Sequence, residues 1–212
     1  MSNTPSRDPQ WLQWSKRLMA IAQNGLTFAE NPFDRERYEA VRAIAAEILS
    51  DHTGSDPSQI VDLFSREVGY ATPKVDVRGV VFRDDTILLV KERADGLWTL
   101  PGGWADVNES PSEAVVREVF EESGYRTRAT KLLAVLDRSK HPHVPSLPFH
   151  IYKLFILCEL LGGEAVTSHE TEAVAFFREH ELPDFSLPRT TPEQVARLFE
   201  HRRCPEFPPD FD

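Results

Sequence analysis

The segment GWADVNESPSEAVVREVFEESGY, from Gly103 to Tyr125, carries six acidic residues and one arginine, and its ends are marked for a helix. Ser110 is a good N-cap, Pro111 suits the first helical position, and Glu113 stands three residues on as a capping-box partner. Gly124 supplies the left-handed residue that closes such a helix. Within those limits Glu118 and Glu121 are three apart, and Glu118 and Glu122 four apart, so all three carboxylates are expected on one face. Val116 and Phe120 are expected on the opposite face, with Val119 at its flank, as the anchor to a core.

Like charges on adjacent turns repel by roughly 0.2–0.5 kcal/mol per close pair even on an exposed helix. Two explanations are open on these residues alone. A hard divalent cation with oxygen ligands would offset the repulsion. A solvated acidic face would tolerate it, in a chain whose net charge is −10.

The spacing separates the two. Five residues follow Gly103 before Glu109, and seven more precede Arg117-Glu118-Val119-Phe120-Glu121-Glu122-Ser123-Gly124-Tyr125. This resembles the Nudix box, G-x5-E-x7-R-E-U-x-E-E-x-G-U with U a bulky apolar residue. Every fixed position is matched, and Tyr125 stands where an aliphatic residue is more usual. Nine specified positions over 23 residues make a chance match remote, unlike a lone glycine pattern.

Composition bounds the rest. A chain of 212 residues with 41% apolar and 27% charged residues can build one large or two small soluble domains. Its acidity argues against a protein that works by coating nucleic acid, since phosphate binding needs basic surface. A polyanionic small molecule held through a metal remains compatible, because the metal supplies the positive charge. Cys158 and Cys204 are too few for a zinc site and imply no disulfide framework. The N-terminus MSNTPSRDPQ is polar, and no apolar run is long enough to span a membrane. A reducing cytoplasm is the expected compartment.

Upstream of the box, residues 9 to 70 read as three short amphipathic helices. Trp11, Leu12, Trp14, Leu18 and Ile21 recur at helical spacing. A second helix starts at Asn31-Pro32 or Asp34, carries Tyr38, Val41, Ile44, Ala45 and Ile48, and ends at Gly54. Asp56-Pro57 opens a third, with Ile60, Leu63, Phe64 and Val68 inward. A helical domain over 1–70 follows, expected to pack rather than to catalyse. From Val75 the period changes to two, giving a strand, a turn at Asp84-Asp85 and a buried strand at Ile87 to Val90. Gly102 and Gly103 then allow a backbone path that a Cβ would resist. Strands are expected at Leu132 to Leu136, Phe149 to Leu161 and Ala173 to Phe177, and a last helix at Pro192 to His201 capped by Thr191. The tail at 206–212 is expected to be pinned at most by Phe207 and Phe211.

These elements give an α+β chain. The resemblance implies more: a Nudix fold, a mixed sheet between helices, over 73–205. It implies hydrolysis of a nucleoside diphosphate linked to a group X, with Mg²⁺ or Mn²⁺. On that resemblance Glu118, Glu121 and Glu122 are metal ligands, the Gly102 carbonyl is a fourth, and Arg117 orients a glutamate. Glu109 binds metal-bound water or braces Arg117, while Glu113 only caps. The general base is either Glu118 or a later glutamate, Glu172 ahead of Glu170. Arg78, Arg93 and Arg138 are candidates for a phosphate, and Trp98, Trp104 and Phe149 for a base. His141, His143 and His150 are read as loop residues. With its helical domain and the stretch Ser186 to Gln194, the chain resembles a bacterial subgroup acting on X-linked nucleoside diphosphates, ADP-ribose and CDP-choline among them. That implies a homodimer. The competing readings are cleavage of nucleoside triphosphates or RNA 5′ ends, and a ligand sensor without catalysis, which an intact box disfavours.

Overall fold

The computed structural model describes residues 6–212. The first five residues, which begin the expected helical domain, lie outside the described residues. The chain forms two compact units.

One unit comprises Arg7–Pro73 with Leu147–His150. It contains α1 (Gln10–Phe28), α2 (Pro32–Thr53) and α3 (Pro57–Ser65). Asn31 and Asp56 cap α2 and α3 with their side chains, each followed by a proline at the first helical position. Gly54 closes α2 at φ 71°. The core holds Leu12, Met19, Ala45, Ala46, Leu49 and Ile60. The buried face of α1 is therefore Leu12, Ser15, Met19 and Ala22, whereas Trp14 and Ile21 are exposed. The reason is the seam itself. Ser15 donates its hydroxyl to the Ala45 carbonyl, and small residues let α1 and α2 approach closely. Counting bulky residues therefore selects the wrong face. Ile44, Leu63 and Val68 are likewise exposed, and Val68 lies beyond the end of α3.

The other unit spans Lys74–Ser146 and Ile151–Asp212, with Ser6. Its elements are β1 (Lys74–Arg83), β2 (Thr86–Glu92), β3 (Trp98–Thr99), α4 (Pro111–Ser123), β4 (Tyr125–Asp137), β5 (Ile151–Gly163), β6 (Thr171–Arg178), α5 (Pro192–Arg203) and β7 (Asp210–Phe211). The sheet order is β3-β2-β1-β5-β4-β7, with β6 on the other edge of β2. β1 runs parallel to β5, and β4 antiparallel to β5, so the sheet is mixed. One face packs on α4 through Val77, Val81, Leu88, Val115, Val119 and Ile156. The other packs on α5 through Val80, Leu89, Leu100, Phe155, Leu198 and Phe199. This is the helix-sheet-helix arrangement that the resemblance implies.

Two details depart from expectation. β4 begins at Tyr125, well before Leu132, because three register shifts let a largely polar stretch stay paired with β5. The tail is not loose. Asp210 and Phe211 pair with Ala134 and Val135, and Asp210 accepts from Arg197 and from His201. Its anchor is thus a carboxylate, while Phe211 is exposed.

Candidate active site

The site grows from the part of the β1 edge that β2 leaves open. β2 pairs with β1 only at Phe82 and Arg83. The rest of that edge is taken by the segment after β3. The Gly79 amide donates to Pro101 O (2.8 Å), the Val77 amide to Gly103 O (2.8 Å), and the Ala105 amide to Val75 O (3.1 Å). Gly102 lies at φ 140°, and a Cβ there would fall 2.1 Å from Val77 O. Only glycine follows this path.

α4 is then laid against the turn. Ser110 and Glu113 form both halves of a capping box, and Gly124 closes the helix at φ 78°. Its buried residues are Ala114, Val115, Val119, Glu122 and Ser123. The expected anchor was different: Phe120 is 52% exposed and Val116 only partly buried. Val115, Glu118, Val119 and Glu122 make one stripe at i, i+3, i+4, i+7, and two of its four members are carboxylates. Hydrophobicity alone rotates the helix away from that stripe by about 100°, one residue of helical phase. Val119 supplies the closest fit, since its Cγ2 lies 2.3 Å from where a Cβ on Gly79 would sit.

The three glutamates are consequently unlike one another. Glu122 is buried, and its Oε2 accepts the Gly102 amide at 2.9 Å. Burial pushes its carboxyl up to about 8, against the pull of Arg78. Glu118 lies against Gly103, whose Cβ would meet its Oε2 at 3.1 Å. Its pKa is also raised, by burial first, with the bond from Arg117 opposing. Glu121 is exposed. Arg117 gathers the rest: its Nε and Nη2 donate to the two oxygens of Glu109 (both 2.8 Å), and its Nη1 donates to Glu118 (2.9 Å) and Glu121 (3.1 Å). Glu109, Arg117, Glu118 and Glu121 thus converge, and Glu109 makes the contact that bracing Arg117 requires. The bond from Arg117 holds the Glu109 carboxyl below the usual range.

A divalent cation is compatible with these donors. They are oxygens only, they outnumber the cations among them, and the most buried one has a single backbone amide for a partner. Among the described residues no group of three or more His, Cys, Asp or Glu is drawn together as a ligand cage. Each carboxylate is engaged elsewhere, with Glu118 and Glu121 on Arg117 and Glu122 on the turn.

The other expected residues scatter. Glu172 is held by Lys91 at 2.7 Å, which lowers its pKa. Glu170 stands beside Thr171, whose hydroxyl donates to Glu122 O at 2.9 Å, and its charge is felt by the buried Glu92. Arg93 donates to Ser168 O, and Arg138 is buried against the carbonyls of Pro145 and Pro188. His141 pairs with Asp212 in the tail. His143 is buried between Leu187 O and Gln194, and burial drives its pKa down to about 3. Phe149 and His150 belong to the helical unit, where the Phe149 ring lies 5.4 Å from Phe64. Trp98 packs edge-on against Phe177, and Trp104 is half exposed.

Arg78, a phosphate candidate, is instead buried in a charged cluster with Asp76 and Lys153. Sequence reading passed over Asp76, Lys153 and Glu92. The available signal was an aspartate and an arginine two apart inside an apolar strand, which puts both on the same buried face.

Comparison with known proteins bears on the family. Residues 9–64 match the family model described as "UDP-X-like, N-terminal oligomerisation domain", and residues 72–200 match the NUDIX domain. The Bacillus subtilis (strain 168) protein named "Putative ADP-ribose pyrophosphatase YjhB" is 48% identical over 203 residues, covering 96% of this chain and 97% of its own. A crystal structure of a UDP-X diphosphatase is 32% identical with a TM-score of 0.62, covering 95% of this chain and 98% of that one. The crystal structure of an ADP-ribose pyrophosphatase from Streptococcus suis 89-1591 is 45% identical with a TM-score of 0.60, covering 66% of this chain and all of that one. An intact box on a mixed sheet, behind a matched helical domain, places this chain in the Nudix family as a Nudix hydrolase.

Proposed function

We propose that this protein hydrolyses the pyrophosphate bond of a nucleoside diphosphate linked to X, with ADP-ribose as the first substrate and CDP-choline as the other compound of the same class. The observation that carries the reading is the Glu109–Arg117–Glu118–Glu121 assembly packed beside the buried Glu122 at the Gly102-Gly103 turn. Relatives named as ADP-ribose pyrophosphatases support adenosine and ribose as the two ends. A second reading, a uridine diphosphate conjugate, is favoured by the UDP-X diphosphatase structure that matches nearly the whole chain.

Glu118, Glu121, Glu122 and the Gly102 carbonyl would hold Mg²⁺ or Mn²⁺. Such a cation, when bound, neutralises pyrophosphate charge, polarises a phosphoryl oxygen and acidifies a bound water. Arg117 gathers Glu118 and Glu121 on one nitrogen and orients them, and Glu109 fixes Arg117. A carboxylate that takes the proton of water is supplied by Glu118 in the box or by the loop before β6. In that loop the geometry supports Glu170 over Glu172, whose charge Lys91 already claims.

The helical unit supports self-association. Trp14, Ile21 and Phe28 recur every seven residues on α1 and are each more than half exposed. A seven-residue apolar stripe on a helix surface suits a helix of a second copy.

Incubation of purified protein and Mg²⁺ with ADP-ribose, CDP-choline, a UDP-sugar and nucleoside triphosphates, scored by product identity, tests the function. AMP and ribose 5-phosphate from ADP-ribose is the expected outcome. Turnover of the triphosphates alone would refute it.

A further inference from the structure

β1 carries a buried ion cluster. Asp76 and Arg78 are two apart on the strand and share its α5-side face with Val80. Lys153 is the register partner of Asp76 on the parallel strand β5. The Arg78 fork takes both oxygens of Asp76, Nε to Oδ1 at 2.9 Å and Nη2 to Oδ2 at 2.7 Å. Lys153 Nζ donates to Asp76 Oδ1 at 2.6 Å. All three residues are at most 6% exposed. Arg78 and Lys153 around one buried carboxylate make an expensive arrangement, and a buried ion pair is weak evidence of a contribution to stability.

The remaining nitrogen of the fork points to an explanation. Arg78 Nη1 donates to Leu100 O at 3.2 Å, the residue before the Pro101-Gly102-Gly103 turn. Its backbone is just as close, since a Cβ on Gly102 would lie 2.9 Å from Arg78 Cα. The flanking amides of Val77 and Gly79 donate into the same turn, at Gly103 O and Pro101 O. That turn in turn presents its Gly102 amide to Glu122 and seats Glu118 against Gly103.

We propose that Arg78 is a positioning residue for catalysis: clamped by Asp76, it ties the turn at Leu100 to β1 and thereby sets the Gly102 backbone and the seats of Glu118 and Glu122. The role in catalysis rests on the proposed function; the tie between Arg78 and the turn does not. Lys153 donates to Asp76 Oδ1 and so meets the cluster at its Asp76 end, away from the bond to Leu100 O. Arginine is required by the geometry, because lysine cannot hold both carboxylate oxygens and a carbonyl at once.

Peptide-resolved hydrogen exchange on metal-free protein, paired with Mn²⁺ binding followed by the EPR signal of free Mn²⁺, tests the proposal in Arg78→Lys, Arg78→Gln and Lys153→Met. In whichever Arg78 variant folds, exchange at 75–80 and 101–105 should quicken while 112–120 keeps its protection. Mn²⁺ affinity and kcat should each fall about 10–100-fold with KM little changed, the usual loss when a residue supporting metal ligands is altered. Lys153→Met leaves the fork in place, so its turn protection and Mn²⁺ affinity should equal those of the wild type. Unchanged exchange in the Arg78 variants, or an equal opening of the turn in Lys153→Met, overturns the proposal. Wild-type protein that binds no Mn²⁺ and cleaves no nucleotide refutes the proposed function instead, and the exchange result still decides the tie.

Discussion

Gly79 and Val119 are the point where the box helix meets β1, and they should be energetically coupled. Gly79 lies in a strand without positive φ, so alanine there is strained only by what already fills the space. The Cβ would come 2.3 Å from Val119 Cγ2, with Val115 Cγ2 at 3.4 Å and Pro101 O at 3.5 Å. Gly79→Ala alone is an overpacking change and should cost about 1–3 kcal/mol. Val119→Ala alone removes two fully buried methyl groups, about 1.6 kcal/mol of transfer free energy plus a cavity term, together near 2–3 kcal/mol. In the double variant the new methyl enters the vacated space. Its cost should fall short of the sum of the single costs by about 1–3 kcal/mol, the range for residues in direct contact. Urea unfolding of the three variants, comparing midpoints at constant slope, measures this. Simple additivity would show that Val119 does not face β1. The reasoning about which face of the helix is buried would then fail.

Further outcomes follow from the same geometry. Phe120→Ala should change stability by no more than about 0.5 kcal/mol in the same assay, as expected of an exposed side chain. Glu121→Gln should lower turnover by several orders of magnitude while circular dichroism and melting stay those of the wild type, because Glu121 is exposed and the amide oxygen can still accept from Arg117. His143 is held neutral by burial, with a folded pKa of about 3 against 6.5 when free. Its unfolded form binds the extra proton between those values, so its contribution is complete above pH 6.5 and falls at up to about 1.4 kcal/mol per pH unit as pH drops toward 3. His143→Gln should flatten the melting temperature of this unit against pH over that window. On the proposed self-association the wild type should sediment as a dimer, and Trp14→Glu with Ile21→Glu as a monomer.

What was legible in the sequence was whatever local chemistry decides. The caps at Asn31, Asp56, Ser110 and Thr191 and the closing glycines 54 and 124 act within a turn of chain, and each forms where its residue type places it. Helix faces were harder. On α1 the buried face gives two of its four places to Ser15 and Ala22, while Trp14 and Ile21 stay exposed, and on α4 it includes Glu122, so apolar bulk alone misplaced part of both faces. Long-range ion pairs were not legible at all. Nothing local joins Asp76 to Lys153, 77 residues away, and only the parallel pairing of β1 with β5 brings them together. The same holds for Asp210, which fixes the tail by meeting two residues of α5.

The most direct measurement of the central claim is the cleavage of ADP-ribose by the purified full chain, first stripped with chelator and then resupplied with Mg²⁺. AMP and ribose 5-phosphate should form after resupply and not before. Absence of any nucleoside monophosphate from ADP-ribose, CDP-choline and UDP-sugars alike, with Mg²⁺ or Mn²⁺ in excess, would contradict the account.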